Sequence, residues 1–133
     1  MTGMEVDLDP ARVDRDVVWA FLSTEAYWGR HRTRADVEAQ LDSAWRVAGA
    51  YRDGEMVGFA RAVSDGVAFG YLADVFVVAS ARGAGVGVAL VEAVLAGTEQ
   101  MRWTLFTRDA HDLYARFGFV APDATALVRP AVV

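Results

Sequence analysis

The sequence predicts a single α+β domain in which helices cover both faces of a mixed, mostly antiparallel sheet. Residues 46–52 and 56–63 alternate around an Asp53-Gly54 turn, which is typical of a β-hairpin. A long apolar strand at 67–78 then runs into a glycine-rich turn and an apolar helix. A meander followed by a strand–helix–strand unit favours a mixed sheet of about six or seven strands.

The elements before the hairpin follow from periodicity and capping. Residues 4–8 alternate as a first strand, and residues 14–23 have the apolar stripe of a first helix. Thr33 and Asp36 form a weaker variant of the capping box at the start of a second helix.

The elements after the central strand are short. A helix is predicted at about 86–96, a strand at 102–106 and a short helix that Asp109 opens. A final strand is predicted near 125–132. No repeat or linker divides the chain, so residues 1–133 are expected to form one domain.

Composition limits the functional classes. The chain has no cysteine, which excludes disulfides and thiolate metal sites. No signal peptide and no apolar run of about 20 residues is visible, so no membrane association and a cytoplasmic location are expected. The net charge of −5 argues against nucleic-acid binding and is compatible with a cationic substrate.

Three glycines alternate where the central strand meets its helix, at Gly83, Gly85 and Gly87. A dinucleotide-binding loop fails on spacing, because Val88 stands where a third glycine is needed. A triphosphate loop needs a lysine, and the chain has none. A purely structural turn remains an alternative, although one glycine would serve it and three weaken the helix.

The string Arg82-x-x-Gly85-x-Gly87 instead favours an anion held against unpaired amides at the positive end of a helix dipole. It resembles the pyrophosphate loop of the GNAT N-acetyltransferase superfamily, Arg/Gln-x-x-Gly-x-Gly/Ala. Ala79 stands where that family usually has proline.

A second signature, Tyr114-Ala-Arg-Phe-Gly118-Phe119, is similar to the Tyr-x-x-x-Gly-Phe element of the same family. There the tyrosine often protonates the departing CoA thiolate, and a phenol of pKa about 10 suits that role. Core packing is the alternative for a lone tyrosine on a helix. Both signatures occur in the family's order, separated by one strand.

The resemblance implies direct acetyl transfer from acetyl-CoA to a primary amine, with no metal. The pyrophosphate would be held by the loop amides of Arg82, Gly83, Ala84, Gly85, Val86 and Gly87. The pantetheine arm would pair with the backbone of Val75, Phe76 and Val77, and an amide near Phe76 and Val77 would polarise the thioester carbonyl.

The general base and the acceptor site are less constrained by the sequence. Asp74 is the first candidate for a base or substrate-binding residue, with Glu25 and Asp109 in reserve, although Asp74 could also bind a loop. Tyr27 and Trp28 are predicted to form an acceptor wall, or else to cap the core.

Two further expectations concern partners and class. A GNAT fold that binds acyl-CoA without turnover, as a sensor or interaction module, is the alternative to an enzyme. The apolar C-terminal stretch LVRPAVV could pair with a second copy as a homodimer, although Pro130 limits that edge.

Overall fold

The computed structural model describes residues 3–26 and 31–132. Its sheet contains five strands in the spatial order β1-β2-β3-β4-β5. The first three pairings are antiparallel and the pairing of β4 with β5 is parallel. The strands are β1 Met4–Asp7, β2 Arg46–Arg52, β3 Glu55–Ser64, β4 Phe69–Val77 and β5 Arg102–Thr104. The helices are α1 Arg15–Thr24, α2 Arg34–Ser43, α3 Val86–Leu95 and α4 His111–Ala115.

The local signals at two predicted boundaries are confirmed. Thr33 caps α2, and its hydroxyl accepts from the Asp36 amide at 3.1 Å while the Asp36 carboxylate accepts from the Thr33 amide at 2.8 Å. At the hairpin, Asp53 and Gly54 both have positive φ, 54° and 81°, as a twist-matched two-residue turn requires.

Helices cover both faces of the sheet, as predicted. On one face, Val18 and Leu22 of α1 and Leu41 of α2 pack with Phe59 and Phe76 of the sheet. On the other face lie α3 and α4, whose buried side chains pack with those of β2, β3 and β4. This second cluster includes Leu72, Val86, Leu90, Val91, Val94 and Tyr114.

A β-bulge in β4 positions the site. Arg61 pairs with Ala73 and Phe59 pairs with Phe76, so a single residue of β3 faces both Asp74 and Val75. Asp74 has a positive φ of 55°, which is uncommon for a residue other than glycine. In a regular strand, Leu72 and Phe76 would point to the same face of the sheet. Because the bulge inserts one residue between them, Leu72 packs on the α3 face whereas Phe76 packs against α1.

The two parallel strands β4 and β5 diverge. Their pairing covers only Phe69–Tyr71 against Arg102–Thr104. From Leu72 onward, the edge of β4 that faces away from β3 therefore has no neighbouring strand among the described residues. The divergence opens a cleft between β4 and the residues that follow β5, starting part of the way along β4.

The predicted sheet of six or seven strands is wrong in number. Residues 119–132 form no strand, although a final strand was predicted at 125–132. Pro122 and Pro130 lack the amide hydrogen that a sheet pairing needs. Val120, Leu127, Val128 and Val132 are exposed. Among the described helices none is long and apolar enough to cross a membrane.

Candidate active site

The cleft between β4 and the residues after β5 contains a cavity of about 630 Å³. One wall is the β4 segment 71–75 and the other is the segment 105–110, with Tyr114 of α4 beside it. The lining also includes Arg32, which lies just before α2, Gln40 within α2, and Arg61 of β3. Residues distant in sequence thus meet where β4 and β5 separate.

A buried ionic cluster lies in this lining. Arg32 donates to both carboxylate oxygens of Asp74, at 2.7 and 2.9 Å, and to the Gln40 amide oxygen at 2.6 Å. Arg61 donates through Nε to the same carboxylate at 2.9 Å. Burial would raise the pKa of Asp74, but the hydrogen bond from Arg32 and the charges of both arginines outweigh it and lower that pKa.

Tyr114 owes its position to the way α4 ends. Gly118 has φ 86° and the Phe119 amide donates to the Tyr114 carbonyl at 3.3 Å, while the Gly118 amide donates to Ala115 at 3.1 Å. These two bonds form a Schellman motif, which requires a left-handed residue at the position of Gly118. The turn returns Phe119 against the Tyr114 ring, with centroids 5.8 Å apart, and so orients the buried tyrosine toward the cavity wall.

The glycine loop lines a second cavity of about 180 Å³. In the first helical hydrogen bond of α3, the Ala89 amide donates to the Gly85 carbonyl. The amides of residues 86–88 therefore have no acceptor within the helix. Gly83 and Gly85 have φ of 85° and 78°, which explains two of the three glycines by backbone geometry. Gly87 has no such constraint, and its missing side chain leaves space in the cavity.

The end of β4 runs from the larger cavity, which Val75 lines, to the smaller one, which Val77 lines. The Val78 amide donates to Val57 of β3 at 2.9 Å, and successive amides of an antiparallel strand point to opposite edges. The amide and carbonyl of Val77 therefore point away from β3, toward the side where β4 has no neighbour. In agreement, the Val77 carbonyl accepts from Arg82 Nε at 3.0 Å. This bond ties the glycine loop to the strand.

The structure brings most of the predicted site residues to these two cavities. The larger one contains Asp74, Val75, Asp109 and Tyr114. The smaller one contains Val77, Arg82, Gly83, Gly85, Val86 and Gly87. The predicted acceptor wall, Tyr27 and Trp28, lies outside the described residues.

Three other candidates line neither cavity, and Asp109 does not have its predicted role at the start of α4. Ala84 lies in the loop without lining either cavity, and the Phe76 ring stacks on Phe21 in the core at a centroid distance of 4.2 Å. Glu25 is exposed at the end of α1 and lines neither cavity. Asp109 lines the larger cavity but does not cap α4, since Ala110 is at that position and has no capping side chain.

Sequence reasoning missed Arg61 and the pairing role of Arg32. A usable signal existed for Arg61, which shares one face of β3 with the buried Phe59. A charged residue at an inward position of a strand indicates a buried partner or a ligand.

Comparison with known proteins agrees with this geometry. A family model for the acetyltransferase (GNAT) domain matches residues 43–121. A crystal structure from Xanthomonas campestris pv. campestris, described as belonging to the GNAT family, superposes with a TM-score of 0.91 at 36% identity, over 99% of this chain and 95% of that one. Among curated proteins, no sequence matches this chain at a significant level.

Two more distant structures share the fold. A GNAT family acetyltransferase from Streptococcus pneumoniae has a TM-score of 0.75 at 18% identity and covers 100% of this chain and 98% of its own. N-acetylglutamate synthase from Neisseria gonorrhoeae, complexed with coenzyme A and N-acetyl-glutamate, has a TM-score of 0.73 at 17% identity. The match covers 96% of this chain and 30% of the synthase.

The diverging strands, the glycine loop and the tyrosine helix together define an acyl-CoA-dependent N-acyltransferase. The chain belongs to the GNAT acetyltransferases, a family that transfers acyl groups from acetyl-CoA.

The residues present fit acetyl-CoA. Loop amides without helical acceptors, two glycines with positive φ and the open space at Gly87 suit a pyrophosphate at the start of α3. Within the described ranges, no group of three or more His, Asp or Glu side chains could hold a metal ion.

Gly87 allows the loop assignment to be tested without backbone strain. A Cβ there would make only ordinary contacts, at 3.7 Å to Leu113 and 3.9 Å to Val77. We expect Gly87→Leu to fill the smaller cavity and weaken acetyl-CoA binding at least about tenfold, measured by calorimetry. Gly87→Ala is the matched control, which should fold at least as stably because alanine favours helices by up to about 1 kcal/mol. Unchanged affinity in Gly87→Leu would show that the pyrophosphate binds elsewhere.

Proposed function

We propose that this protein transfers the acetyl group of acetyl-CoA directly to a primary amine bound in the larger cavity. The observation that carries the proposal is the order of two cavities along the free edge of β4: the larger contains Tyr114 and Val75, and the smaller contains Val77 and the glycine loop. Acetyl-CoA supplies the activated acyl group. The chain contributes the binding surface, the orientation and the proton transfers.

The unpaired edge of β4 is the proposed track for the acyl-bearing arm. Backbone groups of Val75 and Val77 would pair with its amides in the way that a neighbouring strand does. The Val77 amide, which points away from β3, would donate to the thioester oxygen as negative charge develops there. A single donor of this kind typically contributes about 10²-fold to 10³-fold in rate.

Tyr114 is the proposed general acid. The amine nitrogen forms a bond to the acyl carbon, the carbon–sulfur bond breaks, and the phenol gives its proton to the departing sulfur. The nitrogen releases a proton through water to the solvent, and the Tyr114 phenolate takes a proton back from the solvent, so the phenol is restored. The supporting observation is that Tyr114 is buried on a helix whose end is held rigidly and lines the cavity.

Asp74 is a poorer candidate for the group that accepts the amine proton than the sequence indicates. Both Asp74 oxygens accept hydrogen bonds from arginines and its pKa is lowered, which makes the carboxylate a weak base. We propose that Asp74 positions Arg32 and Arg61, and that the exposed Asp109 accepts the proton through water.

A steady-state assay with acetyl-CoA and a panel of primary amines tests the proposal. Release of free CoA that depends on the amine, with an acetylated product in the mass spectrum, is the expected result. Binding of acetyl-CoA without turnover of any amine would favour the alternative, an acyl-CoA sensor or interaction module. The acceptor wall of Tyr27 and Trp28 and the homodimer remain predictions.

A further inference from the structure

We propose that the acceptor amine carries a carboxylate, which the buried guanidinium of Arg61 binds through its Nη1 and Nη2 atoms. The acceptor would accordingly be an amino acid or a similar amino carboxylate. This inference rests on the proposed function, because it names the substrate class of the same cavity.

The first argument is the hydrogen bonding of Arg61. Only 7% of this residue is exposed, and its Nε donates to Asp74. Within residues 3–26 and 31–132, Nη1 and Nη2 have no hydrogen-bond partner. The single fully buried polar side-chain atom without a partner in that part of the chain is the Tyr51 hydroxyl, so neither Nη atom is sealed from solvent. Because Arg61 lines the larger cavity, these two donor groups are available to a ligand there.

The second argument is geometric. A guanidinium has a planar fork of donors, and Asp74 occupies the Nε edge of Arg61. The Nη1–Nη2 edge remains, and two parallel N–H groups match the two oxygens of a carboxylate. Because neither Nη atom is sealed from solvent, a substrate carboxylate would replace water there with charge-assisted hydrogen bonds, which are stronger than bonds between neutral groups.

The third argument is the charge of the cavity. Its lining contains three arginines and two aspartates, so positive charge is in excess although the whole chain carries −5. Asp74 neutralises only part of this charge, since it is shared between Arg32 and Arg61. An amine that also carries a carboxylate fits such a cavity, whereas a polyamine would place several positive charges beside the arginines.

Matched acceptors provide the test. Each set contains an α-amino acid, its carboxamide and the corresponding amine without the carboxyl group, all assayed at saturating acetyl-CoA. We expect kcat/KM to be about tenfold to a hundredfold higher for the acid than for either partner, as for other charge-assisted bonds in a desolvated site. This comparison needs no variant, so it does not depend on the folding of an altered chain.

Arg61→Lys then tests whether Arg61 is the residue responsible. Lysine retains the positive charge beside Asp74 but lacks the fork, so KM for the acid should rise while KM for the carboxamide and the affinity for acetyl-CoA stay unchanged. Arg52→Lys, at the end of β2 and outside both cavities, is the control and should leave all three quantities unchanged.

Two outcomes would overturn the inference. If carboxamides and simple amines are acetylated as efficiently as the acids, the carboxylate assignment is wrong while the proposed function stands. If acetyl-CoA binds but no amine in any of the three forms is acetylated, the proposed function fails and this inference fails with it.

Discussion

Replacing Tyr114 with phenylalanine is expected to lower kcat by about 10²-fold or more, the range that general acids typically contribute. The affinity for acetyl-CoA should change little, because the glycine loop, which we propose binds the pyrophosphate, lies in the other cavity. The phenylalanine ring retains the edge-to-face contact with Phe119. The measurement is kcat at saturating concentrations of both substrates, together with the dissociation constant of acetyl-CoA.

Tyr71→Phe is the matched control for this prediction. Tyr71 lines the same cavity and lies near Phe106, with ring centroids 6.1 Å apart, so the variant removes the same hydroxyl group from another wall. We expect its kcat to remain within a few-fold of the unaltered protein. Equal rates in Tyr114→Phe and the unaltered protein would remove the acid role from Tyr114 and leave the family assignment intact.

The parts of the site that depend on local sequence were predictable. The glycine loop and the tyrosine element each lie within a few residues, and each contains a glycine that has a positive φ in the structure, Gly85 and Gly118. The hairpin turn and the capping of α2 follow from equally local chemistry. Such signals need no knowledge of the remaining fold.

The ionic cluster was not predictable in the same way. Asp74 is 42 residues from Arg32 and 13 from Arg61, so their contact depends on strand register and on the packing of the α2 region over the sheet. The bulge at Asp74 adds an inserted residue that no periodicity indicates. The final strand is absent for a different reason, since the apolar stretch LVRPAVV contains Pro130, which cannot donate a hydrogen bond to a neighbouring strand.

Asp74→Asn is expected to lower the free energy of unfolding by about 3 kcal/mol or more at pH 7, because removing one partner leaves buried charges uncompensated. Arg61 and Arg32 would then share a buried site without an anion. Asparagine is the appropriate substitution, since it tolerates the positive φ of this position and nearly preserves the side-chain shape. Denaturant unfolding at several pH values measures the effect.

The pH dependence of that difference follows from the lowered pKa of Asp74. A carboxyl group with a lower pKa in the folded state stabilises the fold fully above its unfolded value of about 3.9, and the contribution is lost as the pH falls through the folded value. The difference in the free energy of unfolding between the unaltered protein and Asp74→Asn should therefore be constant from about pH 5 to 7 and become smaller below about pH 4.

Asp42→Asn supplies the comparison on the surface. The Asp42 side chain is 69% exposed and pairs with Arg15, so its loss should cost less than about 1 kcal/mol at any pH. If Asp74→Asn proved no more destabilising than Asp42→Asn, the cluster would contribute little to folding. The strained backbone at Asp74 would then be retained for substrate binding alone, which a loss of acetyl transfer in a stably folded Asp74→Asn protein would reveal.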